Sequence, residues 1–387
     1  MNPDNRVIAH LDLDAFFVSC VRLTDSSLNN IPLIIGGHSQ RGVVSSCSYE
    51  ARKYGVRSAM PVVKAIKLCP QAKVVKGDMA LFTQKSKEVT AILKQAAPIL
   101  EKSSIDEFFL DLTGMERYFG CEKWTIELVE RITKETGLPI SFGLSINKTV
   151  AKIATGEGKP LGRVSIPKDK VNAFLAPLSV RKIPMLGEKS YQKLSKLGIH
   201  LIGDLAALTQ DEVVHLFGKN GKALWKKANG IDNRAVSPYT ERKSISTERT
   251  FSKDITDKEV LKSMLLGMIE KLAFQLRKEE KYCSTLAVKI RYEDFETHTK
   301  QCKIPYTNLD HLMTDPIYDL FKKAYLKKKA IRLIGVKCGD LVSTGHQLDL
   351  FTEDTKMDAL YSALDTIKNK YGSKAVGKSG AYREYPK

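Results

Sequence analysis

Two short acidic segments place the strongest constraint on how this chain of 387 residues can fold. Asp12 and Asp14 end one apolar run, and Asp106 and Glu107 follow a second run far along the chain. Apolar runs of this length predict β-strands. Carboxylates at the tips of neighbouring buried strands are costly unless a cation neutralises them. The sequence therefore predicts a site for hard cations such as Mg²⁺, and a pair of such ions is typical of phosphoryl transfer.

The four carboxylates differ in what their positions predict. Asp12 and Asp14 are two positions apart on a strand, so their side chains point the same way. Asp106 and Glu107 are adjacent, and both can approach one ion only at a bend of the hairpin predicted over 99–112. Asp14 could equally cap the helix that follows it. For any single carboxylate the alternative is a cap or a salt bridge, whereas the pairing of two segments favours a metal site.

Composition and charge favour a cytoplasmic protein that binds nucleic acid. The net charge is +18, and a basic excess spread along the chain predicts that several domains contact a long polyanion. The alternative is a soluble protein that is merely basic. The seven cysteines are odd in number and never spaced C-x-x-C, which argues against a disulfide framework or structural zinc. We expect no membrane partner, because the sequence has neither a signal-peptide pattern nor a spanning apolar run.

Strand and helix patterns change along the chain and predict separate domains. Residues 1–166 alternate strand and helix signals, which indicates a mixed α/β sheet with a compact insert at about 20–76. Residues 167–235 predict short helices punctuated by glycines. A polar linker is predicted at 236–242.

The C-terminal part of the chain begins after this linker. Residues 243–341 predict the order β-α-β-β-α-β, which is a split βαβ domain. In the last segment, 342–387, an amphipathic helix is predicted over 355–371. Its apolar stripe is equally suited to pack on the chain or to receive a partner. The Gly-, Lys- and Ser-rich residues 373–387 predict a mobile tail.

Aromatic and basic residues accompany the acidic segments. Phe16 and Phe17 follow the first segment; such a pair is usually core, but one ring could form a wall of the metal pocket. Tyr49 and Arg52 are neighbours at i, i+3 of a predicted helix and can present a hydroxyl and a guanidinium to a phosphate. Lys159 lies in a Gly-rich loop, where a lysine is suited to bind phosphate.

Four motifs, taken in order, resemble those of the Y-family translesion DNA polymerases, nearest the bacterial polymerase IV type. They are residues 10–17, 48–61, 104–112 and 143–162. The resemblance extends over residues 5–351. It implies a multidomain α+β right-hand polymerase with a ferredoxin-like palm, small fingers, a helical thumb with helix-hairpin-helix turns and a split βαβ little finger. It also implies template-directed DNA synthesis across damage, with low fidelity and low processivity.

The resemblance assigns roles to individual residues. It implies that two Mg²⁺ ions are held by Asp12, Asp106, Glu107 and the carbonyl of Leu13. Phe17 falls at the steric-gate position, where an aromatic ring excludes a ribose 2′-OH. The residues implied to contact the deoxynucleoside triphosphate are Phe16, Phe17, Tyr49, Arg52 and Lys159. The implied substrates are primer-template DNA and dNTP, and we expect a monomer.

Further segments predict contacts with DNA. Two glycine turns resemble helix-hairpin-helix turns, in which backbone N–H groups approach a phosphate; the alternative is an ordinary turn between helices. The split βαβ domain adds basic residues on or near its strands, and such contacts are independent of sequence. The predicted DNA-binding residues are Gly187, Lys189, Gly218, Lys219, Gly221, Lys243, Arg249, Arg291 and Arg332.

A short segment near the C-terminus resembles the bacterial sliding-clamp motif. Its predicted contacts are Gln347, Leu348, Leu350 and Phe351, with two apolar anchors after a glutamine. The alternative is a strand that packs on the last domain.

Two other classes of protein compete with a polymerase. A nucleotidyl cyclase or metal nuclease on a similar sheet would explain the acidic strands, but not the glycine turns, the split βαβ pattern and the clamp-like motif together. A non-catalytic DNA-binding or clamp-binding protein would be favoured if Asp12, Asp106 or Glu107 were absent, and all three are present.

Overall fold

The structure, a computed structural model, consists of two compact units, residues 1–240 and residues 241–387. The residues that it describes are 6–37, 39, 41–115, 120–238, 241–325, 329–343, 354–373 and 375–381. Within these ranges, no helix is long and apolar enough to cross a membrane.

A five-stranded sheet forms the centre of the first unit. Its strands in spatial order are β5 (Ile99–Lys102), β6 (Glu107–Asp111), β1 (Ile8–Leu13), β7 (Ile140–Ser145) and β8 (Arg163–Ser165). β1 pairs antiparallel with both β6 and β7, and Asp12 lies directly opposite Glu107. Because directly opposed residues project from the same face of a sheet, the strand pairing brings the two acidic segments together as predicted.

Helices cover both faces of this sheet. The helices concerned are α1 (Phe16–Thr24), α4 (Met79–Ala96), α5 (Cys121–Thr136) and α6 (Lys148–Gly158). On one face, alternate residues of β1 such as Leu11 join the main core with α1, α4 and α5. On the other face, Ile8 packs against Ala151 of α6. A Cβ at Gly143 would lie 2.2 Å from the Ala151 carbonyl oxygen, so glycine at this position allows α6 to approach β7 closely.

The predicted insert forms a small sheet of its own. Its elements are β2 (Leu33–Gly36), β3 (Val44–Cys47), α2 (Tyr49–Lys53), α3 (Val62–Leu68) and β4 (Lys73–Val75). β2 pairs antiparallel with β3 and parallel with β4. The short strand β4 was not predicted, because three residues carry too little alternation to be recognised.

Five short helices complete the first unit, in agreement with the glycine-punctuated pattern. They are α7 (Val171–Leu175), α8 (Glu188–Lys196), α9 (Ile202–Ala206), α10 (Gln210–Phe217) and α11 (Lys219–Ala228). Gly218 has a φ of +60° between α10 and α11, a backbone conformation that favours glycine. A Cβ at Gly221 would lie 2.3 Å from the Val213 carbonyl oxygen, so the two helices could not pack as they do.

The second unit has the predicted β-α-β-β-α-β order. Its elements are β9 (Ser244–Ile255), α12 (Lys258–Lys278), β10 (Tyr282–Tyr292), β11 (Thr297–Thr307), α13 (Asp310–Ala324) and β12 (Ile331–Val342). The strands form one antiparallel sheet in the order β11-β10-β12-β9. α12 and α13 share a core with one face of this sheet and leave the other face open.

The predicted C-terminal helix is α14 (Asp354–Tyr371), and it packs on the second unit through polar contacts. The Tyr361 hydroxyl, on a residue 5% exposed, donates to Asp310 at 2.6 Å. Arg277 of α12 forms two hydrogen bonds to the Asp365 carboxylate, at 2.6 and 2.8 Å. The helix therefore packs on the chain itself, although part of its predicted apolar stripe stays exposed.

Residues 375–381 of the predicted tail contact α12 and α13. The Lys378 amine forms a 2.6 Å salt bridge with Asp310, and its backbone N–H donates to Glu270 of α12. The Ser263 hydroxyl donates to the Gly380 carbonyl oxygen at 2.6 Å. The predicted clamp-binding residues, in contrast, lie outside the described residues.

Candidate active site

The predicted acidic residues meet at the tips of β1 and β6. Asp12 and Glu107 are paired across the two strands, and Asp106 precedes Glu107 in the turn of the hairpin. The Leu13 N–H donates to the Asp106 carbonyl oxygen at 3.1 Å, which fastens this turn to β1. The Ser104 hydroxyl donates to Asp106 at 2.6 Å and accepts from the Glu107 N–H at 3.0 Å. The predicted bend exists, and a serine within the turn holds it.

Each carboxylate is held by a different partner. Lys159 forms a salt bridge with Asp12, Lys152 of α6 contacts Glu107 at 2.5 Å, and Ser104 binds Asp106. Among the described residues, no three His, Cys, Asp or Glu side chains are grouped closely enough to hold a metal ion. The residues nevertheless fit a divalent cation, because three carboxylates from adjacent positions supply the hard oxygen ligands that Mg²⁺ prefers.

The electrostatics of Asp12 reflect its burial and its acidic neighbours. Burial raises the pKa of Asp12 to about 7, although Lys159 lowers it, and the neighbouring Glu107 and Asp106 raise it further. A carboxylate in such surroundings is stabilised by any further cation that can reach it. The geometry and the charge therefore both favour a cation at this position.

Asp14 is buried and accepts hydrogen bonds from residues of several elements. It is 2% exposed, and its carboxylate accepts from the Ser141 hydroxyl at 2.7 Å and from the Leu161 N–H at 2.8 Å. Its second oxygen accepts from the Tyr49 hydroxyl at 3.3 Å and lies 3.7 Å from the Lys159 amine. Asp14 thus joins β1 to β7, to α2 and to the loop after α6.

The prediction that Asp14 could cap the following helix is wrong. The N-cap of α1 is Ala15, which has a left-handed backbone and no side-chain cap. The Asp14 carboxylate instead turns toward β7 and the loop beyond α6, where two donors fix one of its oxygens. A buried carboxylate gains more from these donors than from one N–H at a short helix.

The two aromatic residues after β1 have different surroundings. Phe17 is partly exposed, and its ring stacks on Phe82 of α4 at 4.2 Å between centroids and 13° between planes. Phe16 is 2% exposed and lies in the main core. The contact of Phe16 with a nucleotide stays a prediction.

Tyr49 and Arg52 are neighbours, as their helical spacing predicts. The Arg52 guanidinium carbon lies 4.7 Å from the centre of the Tyr49 ring. Burial, followed by the nearby Asp14 carboxylate, raises the pKa of Tyr49, so its hydroxyl stays protonated and able to donate. Tyr49 and Lys159 both contact Asp14, so Lys159 and the pair of Tyr49 and Arg52 lie beside the acidic residues.

Of the glycines in the two predicted turns, Gly187 and Gly218 lie at the surface, whereas Gly221 is buried where α11 packs on α10. Gly187 is the N-cap of α8, and a Cβ there would meet nothing within 4 Å. Lys189 and Lys219 are exposed near the starts of α8 and α11. These positions are accessible to a phosphate, and their contact with DNA stays a prediction.

The basic residues of the second unit lie on more than one face of its sheet. Lys243 and Lys337 line a groove of about 460 Å³ on the open face. Arg291 donates to the Thr297 hydroxyl, and the Arg332 guanidinium lies 4.5 Å from the Phe295 ring.

Arg249 faces the other side of the same sheet. It pairs with Ile334, whose side chain is in the core. Because opposed residues share a face, Arg249 projects toward the helices and not toward the open face.

Sequence reasoning missed four residues of this site. They are Phe82, Ser104, Ser141 and Lys152, which support Phe17, Asp106, Asp14 and Glu107 in turn. For Lys152 a signal was available, since Lys148 and Lys152 share one face of a helix and Lys148 also binds a carboxylate, that of Glu101. The partners of Phe82 and Ser141 depend on tertiary packing, for which a single sequence carries no signal.

Comparison with known families gives two matches along the chain. Residues 11–156 match the impB/mucB/samB family, and residues 242–350 match the C-terminal domain of the same family. The first match contains the acidic residues, and the second contains the antiparallel sheet of the second unit.

Individual relatives are similar over nearly the whole chain. The chain is 36% identical to a DNA polymerase IV of Dehalococcoides mccartyi, with 98% of each chain covered. It is 37% identical to a DNA polymerase IV of Desulfatibacillum aliphaticivorans, with 96% of this chain and 95% of the relative covered. Among solved structures, a Y-family DNA polymerase chimera matches with a TM-score of 0.80 and 26% identity, covering 87% of this chain and all of the other.

Proposed function

This chain belongs to the Y-family DNA polymerases of the polymerase IV type, and we propose that Asp12, Asp106 and Glu107 hold the metal ions of its reaction. The family establishes a translesion DNA polymerase that acts on DNA and dNTP and depends on a divalent metal. It also confirms the predicted right-hand fold with palm, fingers, thumb and little finger. The proposal adds two Mg²⁺ ions, with the Leu13 carbonyl as a further ligand, and low fidelity and processivity.

The observation that carries this proposal is the pairing of Asp12 with Glu107 across β1 and β6. The pairing fixes two carboxylates on one face, and the turn adds Asp106 beside them. Asp12, Asp106 and Glu107 would hold the ions, whose positive charge would favour ionisation of the primer 3′-OH and departure of the pyrophosphate. The carboxylates contribute position and negative charge, and none of them has to transfer a proton.

The residues around Asp14 are proposed to bind the triphosphate. Tyr49 and Lys159 both reach Asp14, and Arg52 lies against the Tyr49 ring. One hydroxyl donor and two cations thus lie beside the proposed metal ligand Asp12. This combination matches the charge and hydrogen-bonding capacity of a triphosphate.

We also propose a division of the chain along the predicted boundaries. The palm is 1–166 with fingers at about 20–76, the thumb 167–235 and the little finger 243–341. The glycine turns and the basic residues of the second unit are proposed to contact DNA phosphates, which makes binding strongly dependent on salt. A DNA-binding titration at two salt concentrations tests this assignment.

Asp106→Asn is expected to abolish primer extension, because the amide is a poor ligand for Mg²⁺, while DNA binding survives. Primer extension and a DNA-binding titration on the same preparation measure the two effects. Asp111→Asn is the matched control, since Asp111 ends the same strand β6 away from the site and should retain synthesis. Retained synthesis by the Asp106 variant would contradict the metal assignment.

Phe17→Ala is expected to raise ribonucleotide incorporation, because the stacked ring of Phe17 would otherwise contact a ribose 2′-OH. The ratio of kcat/KM for dNTP to that for the matching rNTP should fall by at least about tenfold, equivalent to about 1.4 kcal/mol of discrimination. Tyr371→Ala removes an exposed aromatic ring of α14 and should leave the ratio unchanged. An unaltered ratio in the Phe17 variant would remove its role as the gate.

Leu350→Ala combined with Phe351→Ala is expected to abolish stimulation by a sliding clamp and to spare distributive synthesis. The proposal rests on the motif that begins at Gln347, in which two apolar anchors suit a preformed pocket. Primer extension with and without the clamp measures both activities. Equal loss of both would show that these residues serve folding.

We further propose that the protein acts as a monomer in the cytoplasm.

A further inference from the structure

Lys159 lies close to two carboxylates that have different roles. The Lys159 amine forms a salt bridge with Asp12, the proposed metal ligand, and lies 3.7 Å from Asp14, which is tied to protein donors. The Lys159 side chain is 20% exposed, so the ion pair is largely shielded from water. A cation held in this way neutralises the end of β1 without any bound ion.

The loop that carries Lys159 is fixed close to these carboxylates. The Leu161 N–H donates to Asp14 at 2.8 Å, and the Gly162 N–H donates to the Ser141 hydroxyl at 3.0 Å. A Cβ at Gly162 would lie 2.1 Å from the Gly158 carbonyl oxygen, so the loop turns back tightly on α6. The amine therefore stays within reach of Asp12 and Asp14.

Two cations cannot share Asp12 without repelling each other. A divalent ion at Asp12 and the Lys159 ammonium within a few ångströms repel, which weakens the binding of the ion. The repulsion falls if the ammonium moves to another anion. Asp14 keeps its Ser141 and Leu161 donors throughout, and a triphosphate that reaches Tyr49 would supply a stronger acceptor.

We propose that Lys159 competes with the divalent cation for Asp12 and is transferred to the triphosphate when the cation binds. Metal and nucleotide then assist each other. The metal displaces Lys159 from Asp12 and so frees it for the triphosphate, whereas the triphosphate draws Lys159 away from Asp12, where its charge opposes the metal. The coupling is the same in both directions. This inference rests on the proposed function, in which Asp12 is a metal ligand and Lys159 a triphosphate contact. It adds that the lysine weakens metal binding while no nucleotide is present.

The test is a titration of the full chain with Mn²⁺ alone, without DNA or nucleotide, in which free Mn²⁺ is measured by electron paramagnetic resonance. The amount of Mn²⁺ bound by the unaltered chain in excess of that bound by Asp12→Asn defines binding at the site. Lys159→Met is expected to tighten this binding by about 3- to 10-fold, since one positive charge is removed beside the ion. Lys159→Arg keeps the charge and should retain the weaker affinity.

Lys182→Met is the matched control for the loss of one positive charge. Lys182 is paired with Glu157 near the end of α6, and its variant should bind Mn²⁺ as the unaltered chain does. In primer extension at saturating Mg²⁺, Lys159→Met should raise the KM for dNTP, so the same change strengthens metal binding and weakens nucleotide use. A thermal melt of each variant shows that it is folded.

The outcomes separate the inference from the function beneath it. Unchanged or weaker Mn²⁺ binding by Lys159→Met, with the Asp12-dependent site intact, would overturn the competition and leave the metal assignment standing. If Asp12→Asn binds Mn²⁺ as the unaltered chain does, the metal assignment and the competition both fail. Tighter binding by Lys159→Arg would also contradict the competition, because its charge is retained.

Discussion

The pairing of β1 with β6 is the interaction on which the rest of the structure depends. It places Asp12 opposite Glu107, while alternate residues of β1 enter the main core on the other face. A register shift of one residue would turn the carboxylates toward the main core and the core side chains toward the face covered by α6. Packing of the apolar face of β1 in the core thus fixes Asp12 and Glu107 side by side on the other face. Because these like charges repel, cations are needed nearby.

α6 and the loop after it supply these cations. Gly143 allows the helix to lie close to β7, and from there its lysines reach the sheet. Lys148 binds Glu101, Lys152 binds Glu107, and Lys159 binds Asp12. Two of these lysines hold carboxylates that we propose to be metal ligands, which explains why the ligands are adjacent in the sheet but not grouped around one point.

Much of this arrangement could be predicted from the sequence. Apolar alternation located the strands, and the order of elements in residues 243–341 predicted the second unit, because both depend on local periodicity. The role of Asp14 could not be predicted, since its donors on Ser141 and Leu161 are distant in sequence and meet only in the folded sheet. The contact of Lys378 with Asp310 was missed for the same reason, in a segment whose composition is typical of mobile tails.

Primer extension with the unaltered chain on a defined template, with Mg²⁺ and each dNTP supplied singly, measures whether the carboxylates at the tips of β1 and β6 support template-directed nucleotide transfer. We expect that only the nucleotide complementary to the next template base is added efficiently, and that chelation of the metal stops addition. Addition that ignores the template base, or that continues after chelation, would contradict this expectation.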